Sequence, residues 1–142
     1  MKHLLILLLF LSCTTEQPIY IEQPKIPNGL MNQKESDMTD RFMAYKHFET
    51  SILLYDQAKV KVHQMAVDNV LSHSGYYQDA IDSGASYYGQ CVSKGYVSAQ
   101  SNVNAFMTSE LHRDTIINPH YDRIAVACEG SYTVVLVAKW NN

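Results

Sequence analysis

Two kinds of hydrophobic spacing divide the chain. Between Asp37 and Thr115, apolar residues recur mostly at three- and four-residue intervals, the spacing of one helix face. Between Arg123 and Trp140 they run almost without a break, which reads as strand. Asp37 or Thr39 can cap a first helix running toward Thr50, with Phe42, Met43, Tyr45 and Phe48 on its apolar side. Asp56 suits the N-cap of a second helix, Gln57 to about Leu71. Its Ala58, Val62, Met65, Ala66, Val70 and Leu71 give one buried face. Ser72-His73-Ser74-Gly75 ends it, with Gly75 near the C-terminal capping position. A short third helix covers Tyr77 to Ser83, stopped by Gly84. Gly89 to Val97 is an extended segment interrupted by Gly95. Ser98 or Ser101 caps the next helix, which carries Phe106, Met107, Glu110, Leu111 and His112 and ends near Thr115. Asn118-Pro119 then breaks the chain direction, because the residue before proline is pushed out of the helical region. His112 and Arg113 fall in the last turn of that helix, where two cations suit the macrodipole.

Arg123 to Cys128 and Ser131 to Trp140 flank a Glu129-Gly130 turn and make an antiparallel hairpin. Val134, Leu136 and Ala138 alternate with Val135, Val137 and Lys139, so both faces of the last strand are largely apolar and both are covered. Helices first, strands last and helices available for two faces give the α+β class. The architecture is an α-β-α sandwich with a small, mainly antiparallel sheet between helices.

The N-terminal quarter has a different pattern. Met1-Lys2-His3 is a short basic start, and Leu4 to Leu11 is an unbroken apolar run, too short for a permanent membrane span. It matches the apolar region of a secretory signal peptide. Leu11-Ser12-Cys13 resembles a bacterial lipobox, in which the cysteine is lipidated and becomes the mature N-terminus. The alternative is a plain cleaved signal with an incidental cysteine. Residues 13–36 hold Pro18, Pro24 and Pro27 and no sustained apolar period, as a flexible tether would. The expected organisation is a lipoprotein-type signal in 1–12, a lipid-anchored tether in 13–36 and a folded domain in 37–142. That places the protein outside the cytoplasm, on a bacterial membrane, at the periplasmic face or the cell surface.

Composition narrows this further. A chain of 142 residues is long enough for one ordinary domain and not for two. The net charge of −3 comes with no block of Lys or Arg, which argues against nucleic acid as a partner. Besides Cys13, only Cys91 and Cys128 carry thiols. Outside the cytosol two remaining cysteines are naturally a disulfide, and both fall in strand regions. Such a bridge would contribute about 4 kcal/mol in the chain-entropy description. The alternative is two buried free thiols.

Four segments in order resemble the CAP superfamily, also called SCP, in its small bacterial form. They are Leu53-Leu54-Tyr55-Asp56 opening a helix, Leu71-Ser72-His73-Ser74 closing it, Gly84 followed by Tyr88-Gly89-Gln90-Cys91-Val92, and a long last segment. That last one runs from Phe106-Met107 through Ser109, His112-Arg113, Ile116, Asn118-Pro119 and Tyr121 to Ile124-Ala125-Val126-Ala127. The resemblance spans about Arg41 to Lys139. It implies an extracytoplasmic domain with a cleft lined by two histidines and one or two acidic residues. Carried over, His73 and His112 are retained, while Gln90 stands where the family usually has a glutamate. Phe106 stands where it often has tryptophan.

Two readings of the chemistry follow. In the favoured one the cleft, with His73, Gln90, Glu110 and His112, belongs to a non-enzymatic binding or interaction module. Its partners would be a small molecule, a lipid, a cell-wall component or a protein, and the membrane through Cys13. In the alternative, His73 and His112 hold zinc or another divalent metal in a hydrolase. Two imidazoles need a third or fourth ligand for a stable site, and Glu110, Asp79, Asp82 and His120 are the candidates. A glutamine cannot act as the general base, so Glu110 would have to serve. No nucleophile elbow surrounds Ser74 or Ser109. His47, His63 and His120 read as surface residues.

Overall fold

The computed structural model describes residues 24–141. The expected signal segment, Cys13 and the first part of the tether lie outside the described residues. The elements run α1 (Gln33–Met43), β1 (Glu49–Thr50), α2 (Ile52–Asp68), α3 (Tyr76–Ser83), β2 (Tyr87–Lys94), α4 (Ala99–Thr108), α5 (Glu110–Ile116), β3 (Arg123–Glu129) and β4 (Tyr132–Lys139). The strands form one sheet in the order β1-β3-β4-β2. β1 pairs parallel with β3, and the other two pairings are antiparallel. The expected α-β-α sandwich of the α+β class is the observed fold.

The sheet separates two cores. Val134, Leu136, Ala138, Ala125 and Ala127 face Leu54, Ala58, Val62 and Met65 of α2. Val135, Val137, Ile124, Val126 and Cys91 face Met38 and Phe42 of α1 and Val103 and Phe106 of α4. The β4 run from Tyr132 to Ala138 is buried at every position, because each face of the pleat meets a helical layer. The hairpin turn is Gly130-Ser131, one residue later than the pattern implied, since Glu129 pairs with Tyr132. Gly130 takes φ +57°, a left-handed conformation that glycine adopts without steric cost.

Several helix boundaries differ from the sequence expectation. α1 starts inside the expected tether: Asn32 accepts from Glu35 N, and Glu35 Oε2 accepts from Asn32 N, a closed capping box. Pro24 and Ile26 are also tied down, through Ile52 N donating to Pro24 O and Ile26 N donating to Thr50 Oγ1. α2 begins one turn early because Ser51, not Asp56, caps it. It ends at Asp68, where Asn69 adopts the left-handed conformation. Residues 70–75 are therefore loop, and Gly75 leads into α3 instead of closing α2.

Cys91 and Cys128 are free, buried thiols, so the expected disulfide is corrected. Both lie in strands, but β4 runs between them. Cys91 pairs with Val135 of β4 and Cys128 with Thr133. Two strand spacings and a two-residue offset put their Cα atoms about 12 Å apart, beyond the ~7 Å that a disulfide spans.

One buried carboxylate ties the N-terminal helix to the rest. Glu35 is fully buried and accepts from Tyr55 Oη at 2.8 Å and from the backbone N of Cys128 at 2.8 Å, with Lys59 Nζ at 3.5 Å. β1 pairs with β3 only at Arg123 and Ile124, so Glu35 satisfies the β3 edge further along. Burial, and then the Glu35 carboxylate, push the Tyr55 phenol well above its ordinary pKa. Removing this acceptor leaves the buried Cys128 N–H unpaired, takes the shorter of two bonds from Tyr55 Oη and opens the capping box at Asn32 N. Glu35→Ala is expected to cost about 3–4 kcal/mol, read as a lower urea midpoint at an unchanged m-value.

Candidate functional site

The two histidines that the sequence separates by half the domain meet at the exposed edge of β2. Lys61 on α2 fixes the first of them. Its Nζ donates to Ser74 O at 2.6 Å and sits 3.3 Å from Ser74 Oγ, which pins the 70–75 loop to the helix. Ser72 Oγ tightens the same loop by accepting from Ser74 N. Burial lowers the Lys61 pKa, and the carboxylates of Asp79 and Asp68 oppose that shift. His73 is thereby held with Nδ1 2.9 Å from Gln90 Oε1. An amide oxygen only accepts, so Nδ1 is the donor of this bond.

His112 is placed by a break in the helix expected to carry it. Ser109 has extended backbone angles, ending α4 and starting α5. His112 therefore sits in the first turn of α5, not the last turn of one long helix, so the macrodipole expectation is corrected for His112, while Arg113 does lie in the last turn. The Ser109 hydroxyl does not cap the backbone. It bonds His112 Nδ1 at 2.8 Å, while the imidazole edge packs on the Phe106 ring at 5.4 Å between centroids. Burial lowers the His112 pKa, and the nearby His73 lowers it further, so the ring is neutral at pH 7.

Gly89 lets these elements close on the strand. A Cβ there would stand 2.9 Å from Val137 Cγ2 and 3.0 Å from both Thr115 Cγ2 and Tyr121 Oη. The hydroxyls of Tyr76 and Tyr121 both donate to Tyr88 O, at 2.8 and 3.3 Å. The result is a cleft of about 700 Å³. Gln90 and Cys91 lie at its floor, His73 and Tyr76 on one wall, Leu111 and His112 on the other. The Cys91 thiol is raised by burial to about 12, so it is no nucleophile.

Gln90 is the unusual member. It is 7% exposed, and its Nε2 has no hydrogen-bond partner among the described residues. Burial raises the Tyr88 phenol pKa and the nearby Gln90 amide opposes that rise, but among the described residues the two groups make no bond of acceptable geometry and the hydroxyl is itself unpaired. A buried donor left unmet costs about 1–3 kcal/mol, which a ligand acceptor would recover.

The other expected site residues fall elsewhere. Glu110 is exposed and does not line the cleft. Asp79 and Asp82 line a neighbouring cavity with Lys61. His120 is exposed and stacks on Tyr87 at 4.7 Å. His63 bonds Glu129, and His47 is exposed. Among the described residues no three of His, Cys, Asp and Glu are grouped to hold a metal. Two imidazoles beside a primary amide do not make the donor set of a closed zinc site. Sequence reasoning missed Lys61, Tyr76 and Tyr121. The first looks like a solvated helix residue, and the tyrosines give no periodic signal.

Residues 46–138 match the cysteine-rich secretory protein family, CAP, a span that contains His73, Gln90 and His112. Three solved structures are similar in fold. An outer surface protein of Borrelia burgdorferi aligns with TM-score 0.66 and 18% identity, over 78% of this chain and 97% of that one. An extracellular protein of Bacillus anthracis containing an SCP domain aligns with TM-score 0.67 and 13% identity, over 83% and 45%. A cysteine-rich secretory protein of Staphylococcus aureus aligns with TM-score 0.64 and 12% identity, over 77% and 40%. Among curated proteins, no sequence matches significantly. The chain belongs to the cysteine-rich secretory protein (CAP) family.

Proposed function

We propose that this chain is an extracytoplasmic CAP module that binds a ligand, without turning it over, in the cleft between His73, Gln90 and His112. The observation that carries the reading is the buried, unpaired Nε2 of Gln90 on the cleft floor. It is a donor waiting for an acceptor, and it has no acid–base chemistry to offer. Apolar surface from Tyr76, Tyr77, Leu111 and Tyr121 surrounds it, as in a small-ligand site. Support for the location comes from two sides. Leu4 to Cys13 has the order of an export signal with a lipobox, which makes Cys13 the proposed lipid anchor. The similar solved structures are described as outer-surface, extracellular and secretory proteins.

The metal-hydrolase alternative has weaker support. It needs a third ligand and a base. Glu110, the residue left to serve, is exposed and stands outside the cleft wall. Calorimetric titration separates the two. The native chain is expected to show no saturable zinc binding at micromolar concentration, and Gln90→Glu to gain it by placing a carboxylate beside His73. Micromolar binding by the native chain, lost in both His73→Ala and His112→Ala, would return the hydrolase to first place.

A pH titration followed by NMR checks the cleft's electrostatics. His112 is expected to titrate below 6.5. Its folded value is the lower one, so its contribution to stability is fully present above the unfolded pKa of about 6.5. That contribution is lost as pH falls through 6.5 toward the folded value. His112→Gln is expected to remove this part of the pH dependence of unfolding.

A further inference from the structure

The cleft continues beyond His112. A smaller cavity of about 250 Å³ follows, bordered by Leu71 on one side and Phe106 and Ser109 on the other. His112 lines both spaces. Their common floor is β2: Gly89, Gln90 and Cys91 under the larger, Val92, Ser93 and Lys94 under the smaller. Because β2 ends the strand order β1-β3-β4-β2, this floor is a sheet edge.

The register tells which backbone groups that edge presents. Gly95 N donates to Ser131 O at 2.9 Å, so this is a hydrogen-bonded pair of the antiparallel ladder. Such pairs alternate with non-bonded ones. Counting by two, Ser93 with Thr133, Cys91 with Val135 and Gly89 with Val137 are bonded pairs as well. Tyr88, Gln90 and Val92 therefore turn N–H and C=O away from β4. Tyr88 O bears this out, since it accepts from Tyr76 and Tyr121 instead of from the sheet. Those two tyrosines close one end of the edge. Among the described residues, no loop backbone group bonds the outward groups of Gln90 and Val92. The unpaired Gln90 Nε2 lies on the same floor.

We propose that this groove takes an extended, uncharged peptide segment that pairs with the outer edge of β2 as an added strand. The inference rests on the cleft being the binding site. Gly89 to Lys94 spans six residues, roughly 20 Å at ~3.3 Å per residue, which suits a peptide of five or six residues. Alternate peptide amides meet the backbone of Gln90 and Val92, and a peptide carbonyl accepts from Gln90 Nε2. Intervening side chains fall against Tyr76 and Tyr77 on one wall and Leu111 and Phe106 on the other. Among the described residues no carboxylate lines either cavity, and Lys94 at the far end is the single fixed cation. Lys94 is itself engaged with Asn69 and the Tyr132 ring. A neutral segment therefore enters without an opposing charge, whereas a charged one loses hydration with nothing to replace it.

The test uses the full chain against a display library of linear heptapeptides. Each enriched peptide is resynthesised with single backbone N-methyl groups. Affinity is expected to fall about tenfold or more at every second position, one lost hydrogen bond plus a steric clash, and to change little in between. His112→Trp, which fills the junction of the two cavities, is expected to abolish binding of every peptide. N-methyl sensitivity without alternation, undiminished binding to the His112→Trp chain, or no enriched peptide at all would each overturn the proposal. A parallel NMR titration with N-acetyltyrosine amide keeps the two readings distinguishable. Shifts at His73, the Gln90 side-chain amide and His112 without peptide binding leave a small-ligand cleft and remove only the peptide. No response to either probe removes the cleft reading too.

Discussion

The structure depends on β4 being covered on both faces. Val134 and Leu136 on one side and Val135 and Val137 on the other are almost fully buried. Exposing either set would forfeit about 1.5–3 kcal/mol per side chain. Helices must therefore divide into two layers. α2 covers one face, and α1 and α4 cover the other. Two layers over a four-stranded sheet leave a seam at its end, and β2 lies at that seam. The 70–75 loop comes to it from the α2 layer and α5 from the other. The cleft is thus a consequence of the core: it forms where two layers, each required by β4, fail to meet over the last strand.

Small residues decide how narrow that seam is. Gly89 sets the approach of α5 and Tyr121 to β2, because no side chain fits in the space. Ser109 sets the orientation of His112, breaking the helix and then engaging the imidazole with its own hydroxyl. Lys61 sets the other wall through a charged hydrogen bond to a loop carbonyl. Gly89 and Lys61 act on the cleft side chains through other groups, and Ser109 bonds His112 directly. The position of the histidines is therefore held by residues with no feature, taken singly, that announces a site.

This explains which parts were legible in the sequence. The helix faces, the hairpin and the doubly buried last strand follow from apolar spacing, which is local. So does the fold class. The helix starts were misread because Asn32 and Ser51 compete with Asp37 and Asp56, and only tertiary contacts decide among good caps. Glu35 falls in the expected tether, yet the N–H of Cys128, over ninety residues away in the chain, needs it. Cys91 and Cys128 both lie in strands as expected, but pairing order is not local, and β4 intervenes. His73, Gln90 and His112 were reached through family resemblance, and geometry brings them together. Glu110 entered through proximity to His112 in sequence alone, and two residues along a helix is a different face.

Gln90 is where the fold and the chemistry part. Replacing a carboxylate by its amide keeps the shape and the acceptor that holds His73. It also removes a charge that two neighbouring imidazoles could have shared with a metal or a proton. What replaces that charge is a donor, buried and unpaired. A cleft with a carboxylate between histidines attracts cations. The same cleft with an amide lacks that charge, and in the proposed binding role it would discriminate by hydrogen-bond direction instead. The packing that creates the seam does not depend on which of the two groups stands at position 90, since the core residues on both faces of β4 make it.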